Sequence, residues 1–96
     1  MEKVWLITGC STGFGRELAL QVLAKGYKVA VASRKTSDVD DIVAGYPNTS
    51  IAIKLDVTID SEIKSSVAQT MAHFGQIDVL VNNAGIGYFG SIEESE

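Results

Sequence analysis

The run Thr8-Gly9-Cys10-Ser11-Thr12-Gly13-Phe14-Gly15 carries the clearest chemistry in the chain. It follows an apolar stretch and opens a helical one. Gly9 lets the backbone turn sharply, Gly13 leaves room for backbone to approach an anionic group, and Gly15 lets the following helix pack closely. A helix N-terminus offers free N–H groups and a partial positive charge, so a phosphate suits it. Ser11 and Thr12 add hydroxyl donors. The spacing is T-G-x-x-x-G-x-G rather than the usual G-x-G-x-x-G. Taken alone, it also describes a turn that binds nothing.

Three further groups follow. Ala32-Ser33-Arg34-Lys35 ends a second apolar run with a small hydroxyl and two cations. In dinucleotide-binding folds, an acid roughly 20 residues past the turn holds the ribose hydroxyls of NAD, whereas an Arg accommodates the 2′-phosphate of NADP. No acid stands at this strand end, and Arg can grip a phosphate with paired hydrogen bonds. NADP(H) is therefore the expected ligand, with NAD(H) as the alternative and a solvated basic loop as the bland one. Asp56-Val57 ends a third run. It suits an adenine edge, with Asp56 accepting from the amino group and the Val57 N–H meeting a ring nitrogen. It equally suits a helix cap at Asp56 or Thr58. Asn82-Asn83-Ala84-Gly85 ends a fourth run, where amides can tie strands together and small residues leave room for a ribose or nicotinamide. An ordinary polar turn reads the same way.

The elements that must position these groups are legible in the apolar pattern. Val4 to Ile7, Val29 to Ala32, Ile51 to Leu55 and Val79 to Val81 are short continuous runs, the signature of strands buried on both faces. Helical stripes lie between them. Phe14, Leu18 and Val22, with Ala19 and Leu23, form one ending at Gly26. Ile63, Val67 and Met71 form another ending at Gly75. Val39, Ile42, Val43 and Tyr46 suggest a shorter one closed by Pro47-Asn48. The alternation predicts an α/β, Rossmann-type doubly wound parallel sheet, here its first four strands in the order 3-2-1-4, with the glycine turn at the switch point. Ser91 and Glu94 read as the N-cap and N3 of a capping box, so a helix is expected to start there. With that helix cut short, the fourth strand would be an open apolar edge. Residues 1–96 are thus expected to be the N-terminal, NADP-binding segment of a larger single domain.

Composition narrows the classes. The chain has 96 residues, 46% hydrophobic and 21% charged, as expected for one globular domain. A net charge of -4 without a basic stripe argues against nucleic acid. One Cys excludes an intrachain disulfide and suits a reducing compartment. The first apolar run is too short for a signal peptide or membrane span, so a cytoplasmic protein without a membrane partner is expected. Cys10 reads as a small filler and Trp5 as core. His73 lacks a second ligand at metal spacing. Asp40-Asp41 and Glu93-Glu94 read as solvated surface.

Together, T-G-x-x-x-G-x-G at Thr8 to Gly15, Asp56-Val57, and N-N-A-G at Asn82 to Gly85 resemble the classical short-chain dehydrogenase/reductase family over essentially the whole chain. The resemblance implies a cofactor site made of Gly9, Ser11, Thr12, Gly13, Phe14 and Gly15 for pyrophosphate and ribose. Ser33 and Arg34 would set NADP preference, since a basic residue at the position of Arg34 marks it. Asp56 and Val57 would meet adenine, and Asn83, Ala84 and Gly85 the nicotinamide-side ribose. Phe14 stands where many members carry Ile. The resemblance also implies an NAD(P)-dependent oxidoreductase that oxidises an alcohol or reduces a carbonyl by hydride transfer, a homo-oligomer when full length. The family's catalytic Ser, Tyr-x-x-x-Lys and Asn have no counterpart in this chain. Tyr27, Tyr46 and Tyr88 are followed four residues on by Val31, Ser50 and Ile92. No catalytic or metal-binding residue is assigned, and this chain alone is expected to be inactive. A truncated, non-catalytic dinucleotide-binding module is the competing reading.

Overall fold

The computed structural model describes residues 3–83 and 91–93. Four parallel strands run along the apolar segments: β1 (Val4–Ile7), β2 (Lys28–Ser33), β3 (Ser50–Lys54) and β4 (Val79–Val81). Their spatial order is β3-β2-β1-β4, with each parallel pair in the expected neighbourhood. The chain therefore passes from one end of this order to the other between β3 and β4, and β1 lies beside the switch.

Both faces of the sheet are buried, which is why the strand segments are continuously apolar. Ile7, Val29, Val31 and Val81 pack on one side with Ala19, Val22 and Leu23 of helix α1 (Gly13–Ala24). Val39 and Ile42 join that cluster from a 3-10 turn (Thr36–Val39) and the short helix α2 (Asp40–Gly45). Leu6, Ala30, Ala32, Ile53 and Leu55 form the second cluster, against Val67 of helix α3 (Asp60–Phe74). Gly75 ends α3 with φ 86°, a left-handed position that glycine takes readily. Among the described residues, no helix is long and apolar enough to cross a membrane.

Three expectations are corrected. Ser91 does not start a helix. Ser91–Glu93 form a strand, β5, antiparallel to β4, with Leu80 opposite Ile92. The fourth strand is accordingly paired rather than an open edge, and a five-stranded sheet results. Glu94, the other half of the expected capping box, lies outside the described residues. Unmet backbone groups along β4 outweigh a local capping pattern.

The second correction concerns α3. Ile63 and Met71 were to face the core, yet both are exposed, at 37% and 44%. The buried positions are Ser66 and Thr70. Their hydroxyls donate to the carbonyls of Ile63 (2.7 Å) and Ser66 (2.8 Å) within the helix, so they enter the interior with their polar atoms satisfied. Small side chains on this face let the helix lie close to the sheet. Thirdly, Phe14 leaves the α1 stripe and is 62% exposed, because the buried face runs through Gly15, Ala19, Val22 and Leu23.

Candidate functional site

A cleft of about 530 Å³ opens at the carboxyl ends of β1, β2 and β3. Gly9, Ser11 and Thr12 line its base, and Ser33 and Arg34 one wall. Asp56 and Val57 line the opposite wall, with Asn83 closing the β4 side. Lys35, the second cation noted at this strand end, also borders it, as do Asp38, Leu55 and Thr58, which were not singled out as site residues. Its volume is in the range of small-molecule and cofactor sites. Ala84 and Gly85 lie outside the described residues.

The glycine turn is built as its spacing predicts. Gly9 and Gly13 both have φ 65°, in the left-handed region that costs a side chain energy. Helix α1 begins at Gly13 without a side-chain cap from Thr12, so its first-turn N–H groups remain for a ligand. Gly15 is held against the turn. A Cβ there would lie 2.4 Å from the Gly9 carbonyl oxygen and 2.7 Å from Asn83 Nδ2.

Thr8 fastens the turn to β4. Its amide donates to the Val81 carbonyl (3.0 Å), and its hydroxyl accepts the Asn83 amide (2.8 Å). The same hydroxyl donates toward Asn82 Oδ1 at 3.2 Å. Asn82 thus ties neighbouring strand ends together, as its position after β4 suggested. Cys10 is fully buried behind the turn and donates to the Ile7 carbonyl. Burial pushes its thiol up to about 12, so it is a filler here rather than a nucleophile.

Arg34 and Lys35 are exposed at the end of β2, and their side chains make no hydrogen bond or ion pair among the described residues, whereas the Lys35 backbone donates to Ser33 Oγ (3.4 Å) and accepts from the Asp38 amide (3.0 Å). Arg16 is differently placed. It reaches from α1 to the Asp38 carbonyl (3.3 Å) and the Asp41 carboxylate, pinning the segment after β2. Asp41 is therefore an ion-pair partner, although it was read as plain solvated surface.

On the far wall, Asp56 does not cap α3. The N-cap is Ile59, and no side chain bonds to it. Asp56 Oδ1 instead accepts from the Thr58 hydroxyl (2.6 Å) and amide (3.0 Å). Those two bonds, with weaker help from the Arg34 and Lys54 charges, hold the Asp56 carboxyl below its ordinary range. The Asp56 amide donates to Glu62 Oε1 at 2.8 Å, and Glu62 Oε2 accepts from Lys54 at 2.9 Å. Glu62 carried no sequence signal beyond an acid in a first helical turn.

Chemically, the arrangement suits an elongated anion: helix N–H groups without a side-chain cap in the centre, two cations at one end, and a carboxylate beside a backbone N–H on the far wall. Among the described residues, no group of His, Cys, Asp and Glu could hold a metal ion.

The comparisons with known proteins agree with this arrangement. The family model described as short chain dehydrogenase matches residues 3–96. The 3-oxoacyl-(acyl-carrier-protein) reductase of Staphylococcus epidermidis is 40% identical over 90 residues, covering 90% of this chain and 37% of the relative. A short-chain dehydrogenase structure from Streptomyces avermitilis superposes with a TM-score of 0.82 at 47% identity, over 86% of this chain and 31% of that one. The 3-ketoacyl-(acyl-carrier-protein) reductase of Brucella melitensis, solved in complex with NADH, gives a TM-score of 0.82 at 33% identity, over 88% of this chain and 35% of the other. The chain thus spans about a third of the length of these relatives.

Proposed function

Because the chain belongs to the short chain dehydrogenase family, we propose that it is the cofactor-binding part of an oxidoreductase using NADP(H). The whole enzyme would oxidise an alcohol or reduce a carbonyl. Residues 1–96 would form the N-terminal segment of a larger single domain, consistent with a relative about two and a half times this length. The Brucella relative's complex with NADH supports a nicotinamide dinucleotide as the ligand class. NAD(H) would occupy the same cleft less tightly.

The observation that carries NADP(H) is the strand end of β2. Arg34 and Lys35 stand exposed on the cleft rim without an ion-pair partner among the described residues, and Ser33 takes the place where a carboxylate would repel a phosphate. The pyrophosphate would sit on the uncapped start of α1, approached across Gly13. Ser11 and Thr12 would donate to it, and Asn83 would lie on the ribose side. When bound, the cofactor supplies the hydride. This chain's own residues bind it, orient it along the strand ends and match its charge.

The test is a pair of dissociation constants on the full chain. Wild type is expected to prefer NADPH to NADH. Arg34→Ala is expected to weaken NADPH by roughly tenfold to a hundredfold, the scale of a charge-assisted pair, while leaving NADH almost unchanged. Tighter NADH binding that ignores Arg34→Ala would reject the assignment.

A further inference from the structure

The turn joining β3 to α3 is held more completely than a surface loop requires. Each polar group of Asp56 but one carboxylate oxygen has a partner. Its N–H donates to Glu62 Oε1 (2.8 Å), its carbonyl accepts the Ile59 amide (3.0 Å), and Oδ1 accepts both donors of Thr58. Among the described residues, what remains without a partner is Asp56 Oδ2 and, next to it in the chain, the Val57 N–H. An acceptor beside a donor on a cleft wall complements the amino group and adjacent ring nitrogen of a purine.

Glu62 stands out within this set. It occupies the third position of α3, where a Glu ordinarily reaches back to the N-cap amide. Here it passes over Ile59 and takes the Asp56 amide instead, six residues back. Its second oxygen is held by Lys54, from the last residue of β3, so the carboxylate bridges the strand end and the helix start across the turn. The helix leaves its own N-cap without a side-chain bond, and the turn at the cleft wall gains one.

We infer that Glu62, steadied by Lys54, is a positioning residue for the adenine end of the cleft: it fixes the Asp56-Val57 turn so that one acceptor and one donor are presented together. This rests on the dinucleotide reading above and extends it to a residue that touches no ligand. Glu62 and Arg34 then act on different parts of the same molecule. Glu62 serves the adenine, common to both dinucleotides, and Arg34 the phosphate, present in one.

The experiment compares NADPH and NADH binding to the full chain in wild type, Glu62→Ala, Glu62→Gln and Arg34→Ala, with unfolding midpoints measured alongside. Glu62→Ala is expected to weaken both dinucleotides equally, by roughly tenfold, the scale of one lost hydrogen bond to a charged group. Glu62→Gln keeps an oxygen that can accept from Asp56 and should recover most of that loss. Arg34→Ala should weaken NADPH alone. Should the alanine variant fail to fold, Lys54→Met carries the test, with a smaller but again equal loss for both ligands. A lower unfolding midpoint with unchanged affinities would reduce Glu62 to a structural residue and overturn the inference. So would a loss confined to NADPH. In either case the cofactor assignment would stand. A wild type that binds neither dinucleotide would overturn both.

Discussion

Gly15 and Gly45 both lie in helices, and the same substitution at each should move stability in opposite directions. At Gly15 a Cβ would come within 2.4 Å of the Gly9 carbonyl oxygen, 2.9 Å of its carbon and 2.7 Å of Asn83 Nδ2. Two of these atoms are backbone and cannot rotate aside. Replacing Gly by Ala inside a helix gains at most about 1 kcal/mol in propensity. Forcing a methyl into an occupied space costs about 1–3 kcal/mol, and a rigid neighbour puts the cost at the upper end. Gly15→Ala should therefore lose about 1–2 kcal/mol net, which for a domain of this size lowers Tm by roughly 5–15 °C. The carbonyl it displaces belongs to the ligand turn, so dinucleotide affinity should fall as well. At Gly45 nothing among the described residues beyond its own backbone, its chain neighbours and its helix turn lies within 4 Å of the same Cβ. Gly45→Ala should stabilise by about 0.5 kcal/mol and leave binding alone. Urea denaturation followed by circular dichroism, with NADPH titrations on each variant, measures all four quantities. A Gly15→Ala protein with wild-type midpoint and affinity would refute the close approach of α1 to the turn.

Three further outcomes follow from the same contacts. Cys10 is buried, with its thiol pushed up to about 12, so alkylation at pH 8 should proceed only as fast as the protein opens. Rapid labelling of folded protein would contradict this. The Asp56 and Glu62 carboxyls sit below their ordinary values of 3.8 and 4.5, mainly through Thr58 and Lys54 respectively. A lowered value means the unfolded chain takes up protons first. Their stabilisation is thus complete above about pH 5, begins to fall as the pH drops below 4.5 and 3.8, and is lost as it passes through the lower folded-state values. Urea midpoints between pH 7 and pH 3 should show that decline, and it should shrink in Glu62→Gln. Asp78 Oδ2 accepts from the Val4 amide and from Gln76, each at 2.7 Å. Asp78→Ala should cost about 1–2 kcal/mol by leaving a buried strand amide unpaired, read as a lower urea midpoint.

The sheet was legible because its strands are buried on both faces. Continuous apolar runs with branched residues have few other homes, and the glycine and Asx punctuation set their ends. Helix α3 was harder. Counting apolar residues selects Ile63, Val67 and Met71, whereas contact keeps only Val67 of these and adds Ser66 and Thr70. A hydroxyl that bonds back to its own helix is apolar in effect, and nothing in the residue type announces which Ser or Thr does so. Strand β5 was hidden for a different reason. Ser-Ile-Glu-Glu satisfies a local helix-start pattern, and only the unpaired edge of β4 turns Ser91–Glu93 into a strand. That edge belongs to the assembled sheet and is absent from any short window of sequence.

In the cleft, residue type marked the ligand turn and the cation pair, but not which charges stay free to act. Arg16 and Arg34 are the same side chain, both near the segment after β2. Arg16 is neutralised by Asp41 and fixed to the Asp38 carbonyl, 25 and 22 residues along the chain. Lys54 is likewise spent on Glu62. Such pairings are set by which helix faces which loop, so they emerge only with the fold. Once they are made, Arg34 and Lys35 are the cations on the cleft rim that remain without an ion-pair partner among the described residues. An exposed guanidinium with no protein partner keeps its hydrogen-bonding fork open, and a phosphate is the group that fork fits in two bonds at once. The proposed preference for a phosphorylated ribose therefore rests less on the presence of Arg34 than on its lacking an ion-pair partner among the described residues, where Arg16 has one.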